Sequence, residues 1–397
     1  MKVLFIGRVT PFTEPCGAVA YTIDLLRHLA EAGHDVRVLD LACADGWALG
    51  VLRRFADADP VCPRFCWSSR LVTRWCDLLA RVARRCGFGG LHRRMRVPDP
   101  WGEPLSPRER FAIRRVAKLE SWDVVVCNYA WLADAFDGFS SSVRKVLLTH
   151  DVWHGHLWGD SGNPWLARLD ARAEHAWLDQ ADVVVAITDE DAADFRRIGV
   201  TSRILVAPMS SGATAGVTDP EPGRLLFVGS AYEPNVRGVD WFLDEVAPVL
   251  ARAHPDHFTL HLVGTVGNAV CASGRAIPVR VHGLVDALEP HYAAASLVIA
   301  PVFEGTGLKV KVVEAVAHGK AVIATPEAVR GVISRAPGAV VVAENANAFA
   351  SAVMEFDFDA DARREQEHRA VEAACAAFSP EACWDPLIDA MRDPRGS

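Results

Sequence analysis

The stretch Phe303-Glu304-Gly305-Thr306-Gly307-Leu308-Lys309-Val310-Lys311-Val312-Val313-Glu314-Ala315 holds residue types suited to gripping an anion. Gly305 and Gly307 let the backbone approach a ligand closely, and a helix starting just beyond them offers unpaired N–H groups and the positive end of its dipole. Lys309 and Lys311 add cationic charge at the same place. Glu314, about one turn past Lys311, could accept two hydrogen bonds from adjacent hydroxyls of a ribose. Together these groups would hold a nucleoside diphosphate. The same residues also fit a glycine turn and a surface helix whose lysines are solvated.

Such residues must be carried by something rigid. Apolar runs of strand length recur at 2–7, 35–39, 123–127, 144–149, 182–187 and 203–206, and again at 225–228, 259–263, 279–281, 297–300, 321–324 and 339–343. They are continuously apolar rather than alternating, as expected of strands buried on both faces of a parallel sheet. Helical patterns lie between them, for example over 18–32, where Val19, Ile23, Leu26 and Leu29 share a face and Gly33 closes the helix. The expected fold class is α/β, with two Rossmann-like, doubly wound parallel-sheet domains facing each other across a cleft. Ligands bind beyond the carboxyl ends of such strands. The residues to interrogate are therefore 7–17, Asn128-Tyr129, His150-Asp151 and 188–191 in the first half. In the second half they are Gly229-Ser230, Gly264, Gly283 and 301–311.

The domains are expected at 1–212 and 224–377. A linker at 213–223 lies in a stretch rich in Ser, Gly, Ala and Pro, and a helix in 378–397 crosses back to the first domain. Residues 45–120 interrupt the pattern. Within 53–96 there are eleven arginines and three acidic residues, Asp57, Asp59 and Asp77. Leu71, Val72, Trp75, Leu78, Leu79 and Val82 fall on one helical face there. The segment reads either as a solvated amphipathic helix or as a basic surface for peripheral membrane contact or a phosphate-bearing acceptor.

Composition narrows the function classes. The chain has 397 residues, 50% hydrophobic and 23% charged, long enough for two cores. A formal charge of −8 and a pI near 6.0 argue against a nucleic-acid partner. Mean hydropathy is +0.11, and no apolar run approaches the roughly 20 residues that span a bilayer. The N-terminus shows no signal-peptide pattern, so a cytoplasmic location is expected, with the inner membrane face as the peripheral site. Ten cysteines are scattered without C-x-x-C pairs, and Cys62, Cys66, Cys76, Cys86 and His92 fit no zinc template, so no metal site is expected.

The segments 227–243 (FVGSAYEPNVRGVDWFL) and 281–325 (VHGLVDALEPHYAAASLVIAPVFEGTGLKVKVVEAVAHGKAVIAT) are similar in order and spacing to the nucleotide-sugar domain of GT-B glycosyltransferases of family 4, group 1. The first half resembles the family's acceptor domain through the glycine loop before Tyr21, GHDVRVL, THD at 149–151 and AITDED at 186–191. The resemblance implies a transferase that moves a sugar from a nucleotide-diphosphate sugar to an acceptor hydroxyl, on a glycan, a lipid-linked carrier or a small natural product. It requires no cofactor beyond that donor. By the same resemblance Glu314 binds the ribose, and Gly305, Thr306, Gly307, Lys309 and Lys311 hold the diphosphate. Gly229 and Arg237 flank the phosphates, and His282 and Leu284 lie near the base. The acidic residue that the family places eight positions before the ribose glutamate is replaced here by Thr306, so Glu304 becomes the candidate contact to the transferred sugar. The N-terminal glycine pair is reduced to Cys16-Gly17, which leaves Gly17 as the donor contact there.

Preorganised N–H groups with Lys309, Lys311 and Arg237 suit the charge of a departing diphosphate without a metal, and no D-x-D motif stands nearby. The resemblance implies retention of configuration, with His150 facing the sugar. Asp151 is the candidate base if the reaction inverts, and both residues also fit a simple strand cap and turn. Trp153, His154, His156, Trp158 and Trp165 read as an acceptor wall or as a lid packed on its own domain. A nicotinamide dehydrogenase would need G-x-G-x-x-G after the first strand, which Gly7-Arg8-Val9-Thr10-Pro11 does not supply. An epimerase or hydrolase of the same fold, and a non-catalytic partner with a degenerate donor site, are the other readings.

Overall fold

The structure, a computed structural model, describes residues 1–8, 17–41, 51–54 (as backbone), 102–154, 169–211, 220–305 and 307–393. The loop at 9–16, the basic segment beyond Arg54 with its cysteines and His92, the residues His156, Trp158 and Trp165, and Thr306 lie outside the described residues.

The chain divides into two units, Met1–Ile187 with Asp191–Ala207 and Trp384–Ser397, and Pro208–Cys383 with Thr188–Glu190. The first unit is built on β1 (Lys2–Gly7), β2 (Asp35–Asp40), β3 (Val51–Arg54), β4 (Val124–Asn128), β5 (Arg144–Leu148), β6 (Val183–Ala186) and β7 (Arg203–Val206). Their order is β3-β2-β1-β4-β5-β6-β7, parallel except for β3, which pairs antiparallel with β2 at the edge. The second unit has β8 (Glu221–Val228), β9 (Thr259–Val263), β10 (Val279–Gly283), β11 (Ala295–Ala300), β12 (Val322–Ala324) and β13 (Val341–Val342). These run β10-β9-β8-β11-β12-β13, all parallel. Both sheets are doubly wound as expected, and the winding reverses between β1 and β4 and between β8 and β11. At such a reversal the loops leave the sheet in opposite directions and a crevice opens at the carboxyl ends.

The unbroken apolar runs have a direct physical cause. Successive strand residues face opposite sides of a sheet, and here both sides are covered. Leu225, Phe227, Leu297 and Ile299 belong to one buried cluster, while Leu226, Val298 and Ala300 belong to another. All six residues of β11 are buried.

Two regions depart from the sequence expectation. The interrupted region 45–120 contains the edge strand β3 and a helix at Pro107–Leu119. That helix opens with a capping box: Ser106 accepts from the Glu109 N–H, and Glu109 accepts from the Ser106 N–H at 2.7 Å. Buried Arg8, directly after β1, donates to both oxygens of Glu109 at 2.7 and 2.9 Å and so pins this helix to the end of the central strand. The second departure is β8, which begins at Glu221, inside the stretch expected to be linker.

The helix Pro380–Arg392 starts where Ser379 Oγ accepts from the Ala382 N–H at 3.2 Å. From Trp384 onward it groups with the first unit rather than from residue 378. The Trp384 indole donates to Asp24 at 2.9 Å, His28 pairs with Asp385 at 2.9 Å, and the Trp384 ring meets Tyr21 edge-on at 5.0 Å.

Gly238, in the helix Glu233–Trp241, brings that helix against the segment after β11. An added Cβ would lie 1.9 Å from the Pro301 carbonyl oxygen, whereas one at Gly17 would meet nothing within 4 Å. Gly238→Ala should therefore destabilise the protein by about 3 kcal/mol or more through a backbone clash, while Gly17→Ala stays within about 0.5 kcal/mol of wild type. Urea unfolding of the two variants checks this, and equal midpoints would contradict it.

Candidate functional site

The carboxyl rim of the second sheet is a continuous hydrogen-bonded edge. Gly229, after β8, donates to Val263 O at 2.9 Å and accepts from the Val266 N–H at 3.1 Å. Gly264, after β9, donates to Gly283 O at 2.7 Å. Gly264 has φ 93°, and a Cβ there would lie 2.3 Å from Gly229 O, so only glycine allows this approach. Asn235, buried in the first turn of Glu233–Trp241, donates to Ser230 O at 3.0 Å and accepts from the Lys311 ammonium. That link joins the β8 loop to the helix after β11, one on each side of the winding reversal.

Gly305 and Gly307 both take positive φ, 109° and 68°, so the loop after β11 turns back on itself. Its centre is filled by Lys309. This buried ammonium donates to Gly305 O at 2.7 Å and to Gly307 O at 3.3 Å, with the Glu327 carboxylate 3.7 Å away. The resemblance assigns Lys309 to the diphosphate; its ammonium braces the loop from within. Lys311 is half-buried. Its ammonium rests on Asn235 and lies 5.2 Å from the Phe227 ring centroid. Burial, reinforced by neighbouring Lys309, brings its pKa down to about 8. The helix Val310–Ala317 begins there without a side-chain cap among the described residues. Arg237, assigned to the phosphates, and Glu304, assigned to the sugar, form an exposed ion pair with each other.

Glu314 sits on that helix and accepts from the Tyr292 hydroxyl at 3.1 Å. Burial raises its pKa, the Tyr292 hydrogen bond opposes this, and the charge of Glu289 adds to the rise. His282 shares a hydrogen between its Nε2 and His261 Nδ1 at 3.0 Å, and its ring meets that of His291 edge-on at 4.7 Å. Burial depresses all three histidines, His261 to about 4. Leu284 is 81% exposed. The structure thus brings Gly229, Gly305, Gly307, Lys309 and Lys311 to one rim, with Glu314 about one turn along the helix that begins there. Asn235 and Tyr292, which hold two of them, were not singled out from the sequence.

In the first unit His150 and Tyr129, at the ends of adjacent strands β5 and β4, both have positive φ, 61° and 83°. Strain of this kind in residues other than glycine persists only where surrounding contacts enforce it. The His150 ring stacks on Tyr129 at 4.4 Å, meets Tyr21 edge-on at 5.1 Å and hydrogen-bonds Asn128. Burial pushes its pKa down to about 3, so the imidazole is neutral at physiological pH. Asp151 accepts from the Val152 N–H at 2.9 Å. Trp153 is buried, and fully buried Glu174 accepts from the Trp153 and His154 N–H groups and pairs with His154 Nδ1 at 2.7 Å. Of the expected acceptor wall, these two residues pack on their own unit. Gly17 is the exposed first residue of the helix Gly17–Glu31.

Among the described residues no cluster of three histidine, cysteine or acidic side chains is placed to hold a metal, and no helix is long and apolar enough to cross a membrane.

Residues 222–356 match the family model of glycosyl transferases group 1, and residues 15–209 match that of glycosyltransferase family 4. An uncharacterised 44.6 kDa protein of the cps region of Klebsiella pneumoniae is 24% identical over 286 residues, 66% of this chain and 72% of its own. The Anabaena protein HepE, solved in complex with UDP, superposes with a TM-score of 0.61 at 14% identity over 98% of this chain and 99% of that one. The crystal structure of TarM from S. aureus gives a TM-score of 0.58 at 12% identity, and the match spans 72% of this chain but only 58% of TarM. At such identities the solved structures share the fold. Two doubly wound sheets, a glycine-and-lysine loop at the second reversal, and family models that match each half in turn lead to one assignment: the chain belongs to the group 1, family 4 glycosyltransferases of GT-B fold.

Proposed function

We propose that the protein transfers a sugar from a nucleoside-diphosphate sugar, bound on the rim of the second sheet, to an acceptor hydroxyl, with retention of configuration and without a metal. One observation carries the reading. Two lysines, Lys309 and Lys311, are drawn out of water close enough for one to depress the pKa of the other, and they stand at a helix N-terminus that has no side-chain cap among the described residues. Burying like charges together is unfavourable unless anions balance them; Glu327 stands 3.7 Å from Lys309, while Lys311 has only neutral partners among the described residues. A diphosphate is such an anion, and both the loop amides and the helix dipole favour it.

The chemistry follows from where charge develops. As the bond between sugar and diphosphate breaks, negative charge grows on the departing phosphate. Lys311 and the backbone of the Gly305–Gly307 turn stabilise it there, while Lys309 keeps that turn in shape. Arg237 and Glu304, paired with each other at the surface, would part on donor binding, the guanidinium to the phosphates and the carboxylate to the sugar. Retention is supported by the weakness of the alternative bases. A histidine with a pKa of about 3 is a poor acceptor for an alcohol proton, and Asp151 is engaged with its own turn. The leaving phosphate then takes the acceptor's proton. Glu314 holds the ribose hydroxyls, and the exposed edge at His282 and Leu284 receives the base. UDP in the HepE complex is consistent with a nucleotide of this class.

Lys311→Ala should lower kcat/KM for the donor by about 10²–10³-fold, the size seen when one transition-state charge partner is removed, with an unchanged melting temperature. The pH dependence has a definite sign. The lowered pKa of Lys311 means its cation is lost as pH rises through about 8. Wild-type kcat/KM should be level through neutrality and fall above that pH, and Lys311→Arg should remove the alkaline fall, since a guanidinium keeps its charge. A profile unaffected by the arginine would contradict the role of Lys311. Incubation of enzyme with donor and acceptor in excess EDTA should leave turnover unchanged, and product analysis by NMR should show the donor's anomeric configuration preserved. Rapid release of nucleoside diphosphate without any acceptor would instead indicate a hydrolase.

A further inference from the structure

Tyr292 lies in the short helix Glu289–Ala294 that leads into β11, and it is 1% exposed. Its hydroxyl donates to Glu314 Oε2 at 3.1 Å, and its ring stacks on the His318 imidazole with centroids 4.2 Å apart and planes 17° from parallel. Glu314 and His318 are four residues apart, the first midway along the helix Val310–Ala317 and the second just past it, so they occupy one helical face. A single buried aromatic side chain therefore grips both. It also ties the segment before β11 to the helix that follows the glycine loop, across the strand that carries the loop.

The phenol has a specific chemical consequence for the carboxylate. An ionised glutamate offers about four acceptor directions on two oxygens. Tyr292 takes one of them on Oε2 and fixes the orientation of the group. We propose that Tyr292 is a positioning residue for nucleotide recognition, aiming the Glu314 carboxylate so that its remaining oxygen accepts both cis hydroxyls of the donor ribose. This rests on the reading of Glu314 as the ribose ligand. The groups facing Glu314 act on it in opposite senses. Burial and the charge of Glu289 favour its protonated form, which would lose acceptor capacity, and the Tyr292 hydrogen bond counters them. His318, on the other face of the Tyr292 ring, is held toward its neutral form by burial and so adds no nearby cation at neutral pH.

Tyr292→Phe keeps the ring and the His318 stack and removes only the hydroxyl. Isothermal titration with UDP, GDP and ADP, and with their 2′,3′-dideoxy counterparts, reads the effect on whichever nucleotide the wild type binds. The variant should bind the ribonucleotide about tenfold more weakly, as for loss of a hydrogen bond to a charged group, and the dideoxy nucleotide less than twofold more weakly. The acid limb of ribonucleotide binding should move to higher pH. Unchanged ribonucleotide affinity overturns the proposal, and so does an equal loss for both nucleotides, which marks a purely structural role. Glu314→Gln separates the two levels. If it binds the ribonucleotide as the wild type does, the ribose assignment itself falls. If it loses discrimination between ribo and dideoxy forms while Tyr292→Phe does not, only the positioning role falls. Failure of the wild type to bind any of the three ribonucleotides removes both.

Discussion

The account depends on two ammonium groups withdrawn from bulk water within one turn of a helix. An isolated buried cation is costly, and a second one beside it raises the cost. Lys309 is compensated by the carbonyls of Gly305 and Gly307, with Glu327 farther away. Lys311 has the Asn235 amide oxygen and the face of Phe227, which are neutral partners. Lys311 is therefore the cation of the two whose described partners are all neutral, and the doubly wound topology puts it where a crevice forms. Positive φ at both glycines and the 1.9 Å clearance that forbids a side chain at Gly238 are geometric conditions for keeping it there.

Much of this was legible in the sequence because the signals are local. The continuous apolar runs marked twelve of the thirteen strands; the central strands, such as β11, are covered on both faces, and the edge strands β7, β10 and β13 keep the apolar run although they are partly exposed. The edge strand β3 was missed because it lies against only β2 and sits in an arginine-rich stretch with no apolar run of its own. The helix Pro107–Leu119 was also passed over, although Ser106, Pro107 and Glu109 spell a capping box. Its mean character is polar, and its partner Arg8 is about a hundred residues away, a pairing that no local pattern encodes.

Side-chain direction was harder to read than position. Lysines at 309 and 311 are two residues apart and so point to different sides of the backbone: one turns into the loop, the other toward Asn235. The sequence shows two cations and cannot show that only one is free to change partners. Asn235 and Tyr292 were overlooked for a related reason. Each lies in an unremarkable helical stretch, and its importance comes from a contact with a different element, to Lys311 in one case and Glu314 in the other. In the first unit the expected aromatic wall at Trp153 and His154 became a buried anchor, because fully buried Glu174 satisfies the backbone of both. Nearby His150, with its backbone at φ 61°, is packed against Tyr129 and Tyr21 and hydrogen-bonded to Asn128.

The most direct measurement is a crystal structure of the protein with a bound nucleoside diphosphate. The account predicts the β-phosphate against the Gly305–Gly307 turn and the N-terminus of Val310–Ala317, with Lys311 Nζ moved from Asn235 to a phosphate oxygen. A nucleotide bound elsewhere, with Lys311 still on Asn235, would contradict it.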